Sequence, residues 1–336
     1  MIDADSLVEA GQRHFGRFAA TPRANPLDAY PRGRRAWAGF RTKEWAGFTL
    51  THPELFGSMI LQDAKYLASS EIYVYDRASG DLVQHAANAL GGSLRIPARL
   101  AESALAFHSA GYRIAYNFEP GRVRVMVRIH ADGETPGINA NLTLDPAGAS
   151  PPLVVSARLP GGRDASLYTN KIIYPAGGAI EVGGRRYEFD PARDFAILDE
   201  HKSRLPYRTE WTWGTFAMPL ATGGYLGANL ATRPQYPEEE EESCIWTPQA
   251  AEPLRDISFE PLDRGELAPW SVKSADGRVD LVFTPEGAKG VDHQLGLAEI
   301  VYQQRFGVYA GVIKADGADH RFENLHGVLE HMRARL

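Results

Sequence analysis

The run from Tyr168 to Phe216 carries Lys171, Asp199, Glu200, His201, Lys202, Tyr207, Arg208 and Glu210 beside Trp211 and Trp213, in sequence that otherwise reads as strands. Those residue types suit proton transfer. A carboxylic acid such as Asp199 or Glu210 against apolar walls has its pKa raised by desolvation and can stay protonated near neutrality, able to donate. Lys171 or Arg208 close by would push the other way and hold a carboxylate ionised, and the sequence leaves that contest open. Along a strand, residues two apart share a face. Trp211, Trp213 and Thr215 therefore point one way and Glu210, Thr212 and Gly214 the other. The two indoles either wall a hydrophobic ligand pocket or simply fill a barrel core.

The elements that must position these groups are strands. EIYVYD over Glu71 to Asp76 and RVRVMVRIH from Arg122 alternate with a two-residue period. Gly183-Gly184, Asp276-Gly277 and Asp316-Gly317 supply hairpin turns. Many short strands joined by such turns describe barrels or sandwiches, where closing the sheet removes exposed edges. Helix is expected in MIDADSLVEAGQRHF at the amino terminus, over Ala98 to His108, and in the final VLEHMRARL. The strand pattern restarts after about Arg193, at the DPARD segment Asp190 to Asp194.

Composition removes several function classes. The chain has 336 residues, 44% of them apolar, and a net charge of −6, which argues against nonspecific affinity for nucleic acid. Arg122, Arg124 and Arg128 belong to a half-buried strand with its basic edge in water. No stretch reaches the length of a membrane span. The acidic start of the chain is unlike a secretory leader, and the single cysteine, Cys244, fits a reducing compartment; the expected location is cytoplasmic. The motifs of nicotinamide, ATP, zinc-protease and serine-hydrolase sites do not occur. The ten histidines are scattered, so no metal site is expected. Glu238 to Glu242 is an acidic loop of which Glu242, next to the strand-like SCIW, is placed to turn inward.

The ordered set KEWAGFTLTHPELFGSMILQDAKY, SLYTNKIIYPAGG, FAILDEHKSRLPYRTEWTWGTF, GYLGANLA, ESCIW, APWSV, VDLVFTPEG and QQRFGVYAGVIK, with Gly327 and Glu330 late, resembles the domain-of-unknown-function 2804 family from about Trp45 to His331. That family is distantly similar to carotenoid 1,2-hydratases and lipocalin-like cyclases. The resemblance implies an all-β fold of two consecutive lipocalin-like, calycin-type antiparallel barrels with few short helices. On that reading residues 1–30 form a helical segment, 31–193 the first barrel, and 194–336 the second barrel with a C-terminal helical turn. The family's Tyr-Thr-Asn-Lys run falls on Tyr168, Thr169, Asn170 and Lys171, and its Leu-Asp on Leu198 and Asp199. Its Pro-x-Arg-Thr-x-Trp-x-Trp falls on Pro206, Arg208, Thr209, Trp211 and Trp213, and its Glu on Glu242 ahead of Trp246. One departure stands out: Glu200 to Leu205 places polar groups where a tryptophan followed by Arg-Gly is expected, which means either altered acid/base chemistry or a solvated loop.

The resemblance implies protonation of an alkene or ether oxygen, with cationic character shielded by aromatic faces. The expected protein is a cofactor-independent hydratase, lyase or cyclase/isomerase of an apolar isoprenoid, polyketide or aromatic molecule. Asp199 or Glu210 would be the acid, and Lys171, Tyr207 or His201 its proton partner. Tyr168, Asn170, Arg208 and Glu242 would orient the substrate, and Trp211, Trp213 and Trp246 would wall it. The competing expectation is a carrier that binds a lipid or pigment without converting it. An interaction module without a deep pocket is the third.

Overall fold

A computed structural model describes residues 1–295 and 298–335, and the side chains of all of these except 293–295 and 298. The chain is nearly all β and forms two nearly closed antiparallel barrels. Two compact units result: Met1–Ser156 with Leu167–Arg204, and Ala157–Ser166 with Leu205–Leu336.

In the first unit the strands Lys43–Thr51, Leu55–Asp63, Leu67–Asp76 and Leu82–Leu90 meander to one edge of the sheet. The chain then crosses to the opposite edge at Ser103–Ser109. It returns through Tyr112–Glu119, Arg122–Ile129, Ile138–Leu144 and Ser166–Val182 to Phe195–Ser203, which pairs with the first strand of the sheet. The crossing segment lends Leu94, Ile96 and Leu100 to the core, alongside Phe48, Tyr116 and Leu198. In Arg122–Ile129 the alternating residues Val123, Val125, Val127 and Ile129 are buried, the two-residue period expected of a sheet with one face on a core.

The second unit repeats the scheme. Arg208–Pro219, Tyr225–Thr232, Ser243–Trp246 and Ala251–Leu254 run to one edge, and only Arg255 and Asp256 separate that edge from Ile257–Pro261 at the other. Trp270–Ser274 and three long strands, Val279–Leu295, Ala298–Ala315 and Ala318–Arg335, lead back to pair with Arg208–Pro219. Phe216, Leu230, Ile245, Phe283, Tyr309 and Leu329 fill this barrel.

Three helical expectations give way to strands. At the amino terminus Val8–Glu9 pairs with Gln12–Arg13 across Ala10 and Gly11, whose φ angles of 48° and 78° no helix accommodates. Leu7, Val8 and Phe18 are thereby packed on Val154 and Tyr168. The helical content of this region is a 3-10 turn at Pro26–Ala29, another at Arg32–Arg34, and one α-helix, Arg35–Arg41. Ala98–His108 runs into the strand Ser103–Ser109 after a turn with Glu102 at φ 59°. The C-terminal residues lie in Ala318–Arg335, hydrogen-bonded on both sides, because closing the barrel outweighs local helix propensity; Leu336 lies outside the described residues. The division between units is also displaced. Phe195–Ser203 sits between Ser166–Val182 and Lys43–Thr51, so it belongs to the first sheet, and the second unit combines Ala157–Ser166 with the chain from Leu205 onward.

Gly47 stands at a tight spot in the seam, paired with Asp199 on one side and Ile60 on the other. A Cβ there would lie 2.5 Å from the Met59 carbonyl oxygen. Gly47→Ala is expected to cost about 1–3 kcal/mol of stability through backbone displacement, read as a lowered Tm in thermal unfolding.

Candidate functional site

Three neighbouring strands bring Lys171, Asp199, His201 and Trp45 together. Register places Lys171 opposite Asp199 and Thr169 opposite His201, and puts Trp45 on the far side of His201. All four side chains leave the sheet on the face turned away from the first unit's apolar core, since Leu198, Ile172 and Phe48 occupy the other parity. The Lys171 ammonium meets Asp199 Oδ1, and Trp45 Nε1 donates to Oδ2 at 3.1 Å. His201 Nε2 stands 3.4 Å from Oδ1. Its ring stacks on the Trp45 indole at 4.4 Å between centroids and 19° between planes, and its Nδ1 faces Ser203 Oγ at 3.4 Å. Lys171 and His201 are buried, whereas a quarter of the Asp199 side-chain surface is open.

The electrostatic contest is decided here. Burial by itself would raise the Asp199 pKa, but the Lys171 ammonium, followed by His201, outweighs it and holds the carboxyl well below the usual carboxylate range. Asp199 is therefore held as an anion at neutral pH, the ionised one of the two outcomes that the sequence leaves open, and this runs against its expected role as the acid. Because a lowered folded-state pKa favours folding above the unfolded value near 3.9, this contribution is lost as the solution is acidified through and below that value. The Tm of the parent protein is expected to fall more steeply than that of Asp199→Asn between roughly pH 4 and pH 2.

The alternate residues of the same strands face inward. Asn170 Nδ2 donates to Glu200 Oε2 at 3.0 Å, and Lys202 Nζ lies 3.2 Å from Glu200 Oε1. Lys202 also donates to the carbonyls of Ala24 (3.0 Å) and Pro97. Thr21 Oγ1 donates to Asn170 Oδ1 at 3.3 Å. Tyr168 is fully buried against Leu7 and Phe18, with its hydroxyl unpartnered among the described residues. Burial, with Glu200 second, pushes its phenol pKa well up. Asn170 and Tyr168 thus brace the amino-terminal segment and do not share the face of Lys171. The segment that departs from the family pattern is no solvated loop, because His201 and Lys202 are both buried within a strand.

In the second unit Trp211, Trp213, Thr215, Asn229 and Trp246 share the face opposite the apolar core, as the register with Tyr225–Thr232 and Ser243–Trp246 requires. Trp213 Nε1 donates to Asn229 Oδ1 at 2.8 Å, Asn229 Nδ2 donates to the Glu242 carbonyl, and the Glu242 carboxylate meets Arg233. Glu242 does turn inward, and only 4% of its side chain is exposed. Trp211 Nε1 (2.8 Å), Tyr302 OH (2.9 Å) and Gln304 Nε2 (3.0 Å) all donate to the Glu330 carboxylate. The Trp246 indole N–H is fully buried with no acceptor among the described residues.

Glu210 leaves on the other face, more than half exposed and 3.7 Å from His331 Nε2, while Tyr207 and Arg208 are solvent-exposed. All three belong to the second unit, whereas Asp199 belongs to the first. Trp45 and Gln304 were not singled out from the sequence. Trp45 is signalled only by its place in KEWAGF opposite the Leu-Asp strand, and Gln304 by nothing. No group of three metal-ligating side chains occurs among the described residues, and no helix is long and apolar enough to cross a membrane.

Fold and clusters together define a two-barrel, all-β protein with a buried ion pair on the outer face of its first sheet. The chain belongs to the family described as Domain of unknown function (DUF2804), whose model matches residues 23–336. No curated protein matches it by sequence. Among solved structures it is similar to CghA with Sch210972, at TM-score 0.54 and 11% identity over 88% of both chains. A second CghA structure gives 0.53 with the same identity and coverage. Kievitone hydratase from Nectria haematococca aligns at TM-score 0.45 and 9% identity, over 87% of this chain and 88% of that one. The CghA likeness establishes a shared fold.

Proposed function

We propose that the chain is a cofactor-independent acid/base enzyme, of hydratase, lyase or cyclase/isomerase type, whose proton-transfer centre is Lys171, Asp199 and His201. The observation that carries this reading is a buried lysine held against a partly open carboxylate, with an imidazole on the same oxygen, on a sheet face that the apolar core does not use. Burying a charge pair is costly, and replacement by apolar groups is often neutral or stabilising, so packing alone gives no reason to keep it. His201, whose Nε2 faces the Asp199 carboxylate at 3.4 Å and whose ring can carry a proton, is the proton donor. Asp199, a weak base because its pKa is low, suits proton removal from a strongly acidic cationic intermediate and stabilises that cation electrostatically. Lys171 balances its charge, and Trp45 positions both Asp199 and the imidazole. A hydrophobic isoprenoid, polyketide or aromatic substrate fits the aromatic surroundings, and the shared fold of CghA, solved with Sch210972, is in keeping with a bound organic molecule.

The test is incubation with a lipophilic extract in heavy water, followed by mass spectrometry. One component is expected to gain deuterium or the mass of water, and His201→Gln is expected to lower that rate at least about a hundredfold with binding retained. Saturable binding of a component that is never altered by the parent protein would assign the chain to the carrier class instead.

A further inference from the structure

The exposed large apolar side chains of the first unit are not scattered. Trp37 and Phe40 stack at 6.2 Å between centroids, Phe40 meets Tyr66 at 6.4 Å, Leu67 follows Tyr66 in sequence, and Leu90 is the cross-strand partner of Leu67. These five form one continuous outward patch, with Trp37 67% and Leu90 85% exposed. Lys43 is laid beneath it, its ammonium 4.4 Å from the Tyr66 ring centroid and 5.7 Å from that of Phe40, and tied to the Ala64 carbonyl at 2.7 Å. That fastening fixes the rings while they face water.

The charge along the segment that carries Trp37 and Phe40 has one sign. From Ala29 to Lys43 the sequence contains Arg32, Arg34, Arg35, Arg41 and Lys43 and no acidic residue, in a chain whose net charge is −6. Arg35 is paired with Asp28. Arg32, Arg34 and Arg41 make no ion pair among the described residues. The acids beside the patch, Glu44 and Asp63, both pair with Lys65, so the three together keep one negative charge against the three unpaired arginines. An apolar patch rimmed by cations, with interfacial aromatics at its centre, matches a surface that is greasy beneath and anionic at its edge.

We propose that this patch docks the protein on an anionic lipid bilayer, with Trp37, Phe40 and Leu90 entering the headgroup region and Arg32, Arg34 and Arg41 meeting lipid phosphates and carboxylates. Trp37 and Phe40 project from a short helix that has only Ala38 buried, so altering them leaves the barrel intact. The surface uses none of the side chains of the proposed proton-transfer centre, and on the reading proposed above it gives the protein direct access to the phase in which apolar substrates dissolve.

The experiment is vesicle flotation with the full chain, using phosphatidylcholine alone and phosphatidylcholine mixed with phosphatidylserine. The parent protein is expected to float with the mixed vesicles only, and to be released by salt. Trp37→Ala with Phe40→Ala should weaken partitioning at least about tenfold, and Arg34→Gln with Arg41→Gln by roughly 25-fold, about fivefold for each cation lost. Unchanged circular dichroism and Tm confirm that the variants fold. No flotation of the parent protein, or flotation that survives loss of Trp37 and Phe40, would overturn the proposal. So would a lipid-free dimer in sedimentation that the same two substitutions abolish, since the patch would then cover a second copy of this chain.

Discussion

Asp199→Asn is expected to lower turnover by about a hundred- to ten-thousandfold, with ligand affinity little changed. The amide keeps an oxygen to accept the Trp45 indole N–H, so the stacked pair with His201 stays oriented. It removes the anion that offsets the buried Lys171 charge and sits 3.4 Å from His201 Nε2. A lone ammonium in that position is costly, about 3–5 kcal/mol when one partner of a buried pair is deleted. The double substitution Asp199→Asn with Lys171→Met separates the two effects. It should regain most of the stability while remaining inactive. Recovery of activity in the double variant would show that Asp199 serves only to neutralise Lys171.

Lys202→Met is expected to produce a loss of stability in the first unit as large as that from breaking the Lys171–Asp199 pair. Lys202 is 1% exposed and ties Glu200 to the carbonyls of Ala24 and Pro97, two segments otherwise remote along the chain. Removing it leaves Glu200, also 1% exposed, with Asn170 as its remaining hydrogen-bond donor among the contacts described. The cost is about 3–5 kcal/mol, which for a unit of this size lowers Tm by roughly 6–20 °C. Calorimetry should show the unfolding of the first unit shifted and the second unit unmoved. Equal displacement of both would mean that the pair does not act locally. The charge-free double variant, Lys202→Met with Glu200→Met, is expected to recover part of the loss, since two well-packed apolar groups leave no stranded charge.

The parts of this architecture written in local pattern could be read directly. Gly183 and Gly184 adopt φ of 57° and 86°, and Gly277 and Gly317 adopt 72° and 73°, as tight hairpins demand. The shared face of Trp211 and Trp213 follows from strand parity alone, and so does the opposite departure of Glu210. The site was legible only in part. Lys171 and Asp199 are 28 positions apart, and nothing local states that their strands pair with these two residues in register. Once they do, the direction of the Asp199 shift follows, as does the separation of Asn170 and Tyr168 onto the inner face. Arg208 and Tyr207 were drawn in because they neighbour the tryptophans in sequence, yet they sit near the start of their strand, in water. The amino terminus was misread for a related reason. Its helical composition is overridden by a left-handed Ala10-Gly11 turn and by the burial of Leu7, Val8 and Phe18.

The seam between Lys43–Thr51 and Phe195–Ser203 joins stretches of chain made far apart in time. At ribosomal rates of about 5–20 residues per second, Thr51 waits roughly 7–30 s for Phe195 to be synthesised. Throughout that interval an early strand has an unmatched margin, open to mispairing with other nascent chains. The cluster proposed for proton transfer straddles this same join, with Trp45 on the early strand and Asp199 and His201 on the late one. On that proposal the geometry comes into being only when this join closes, and a translation product cut short before Asp199 carries Trp45 and Lys171 without it.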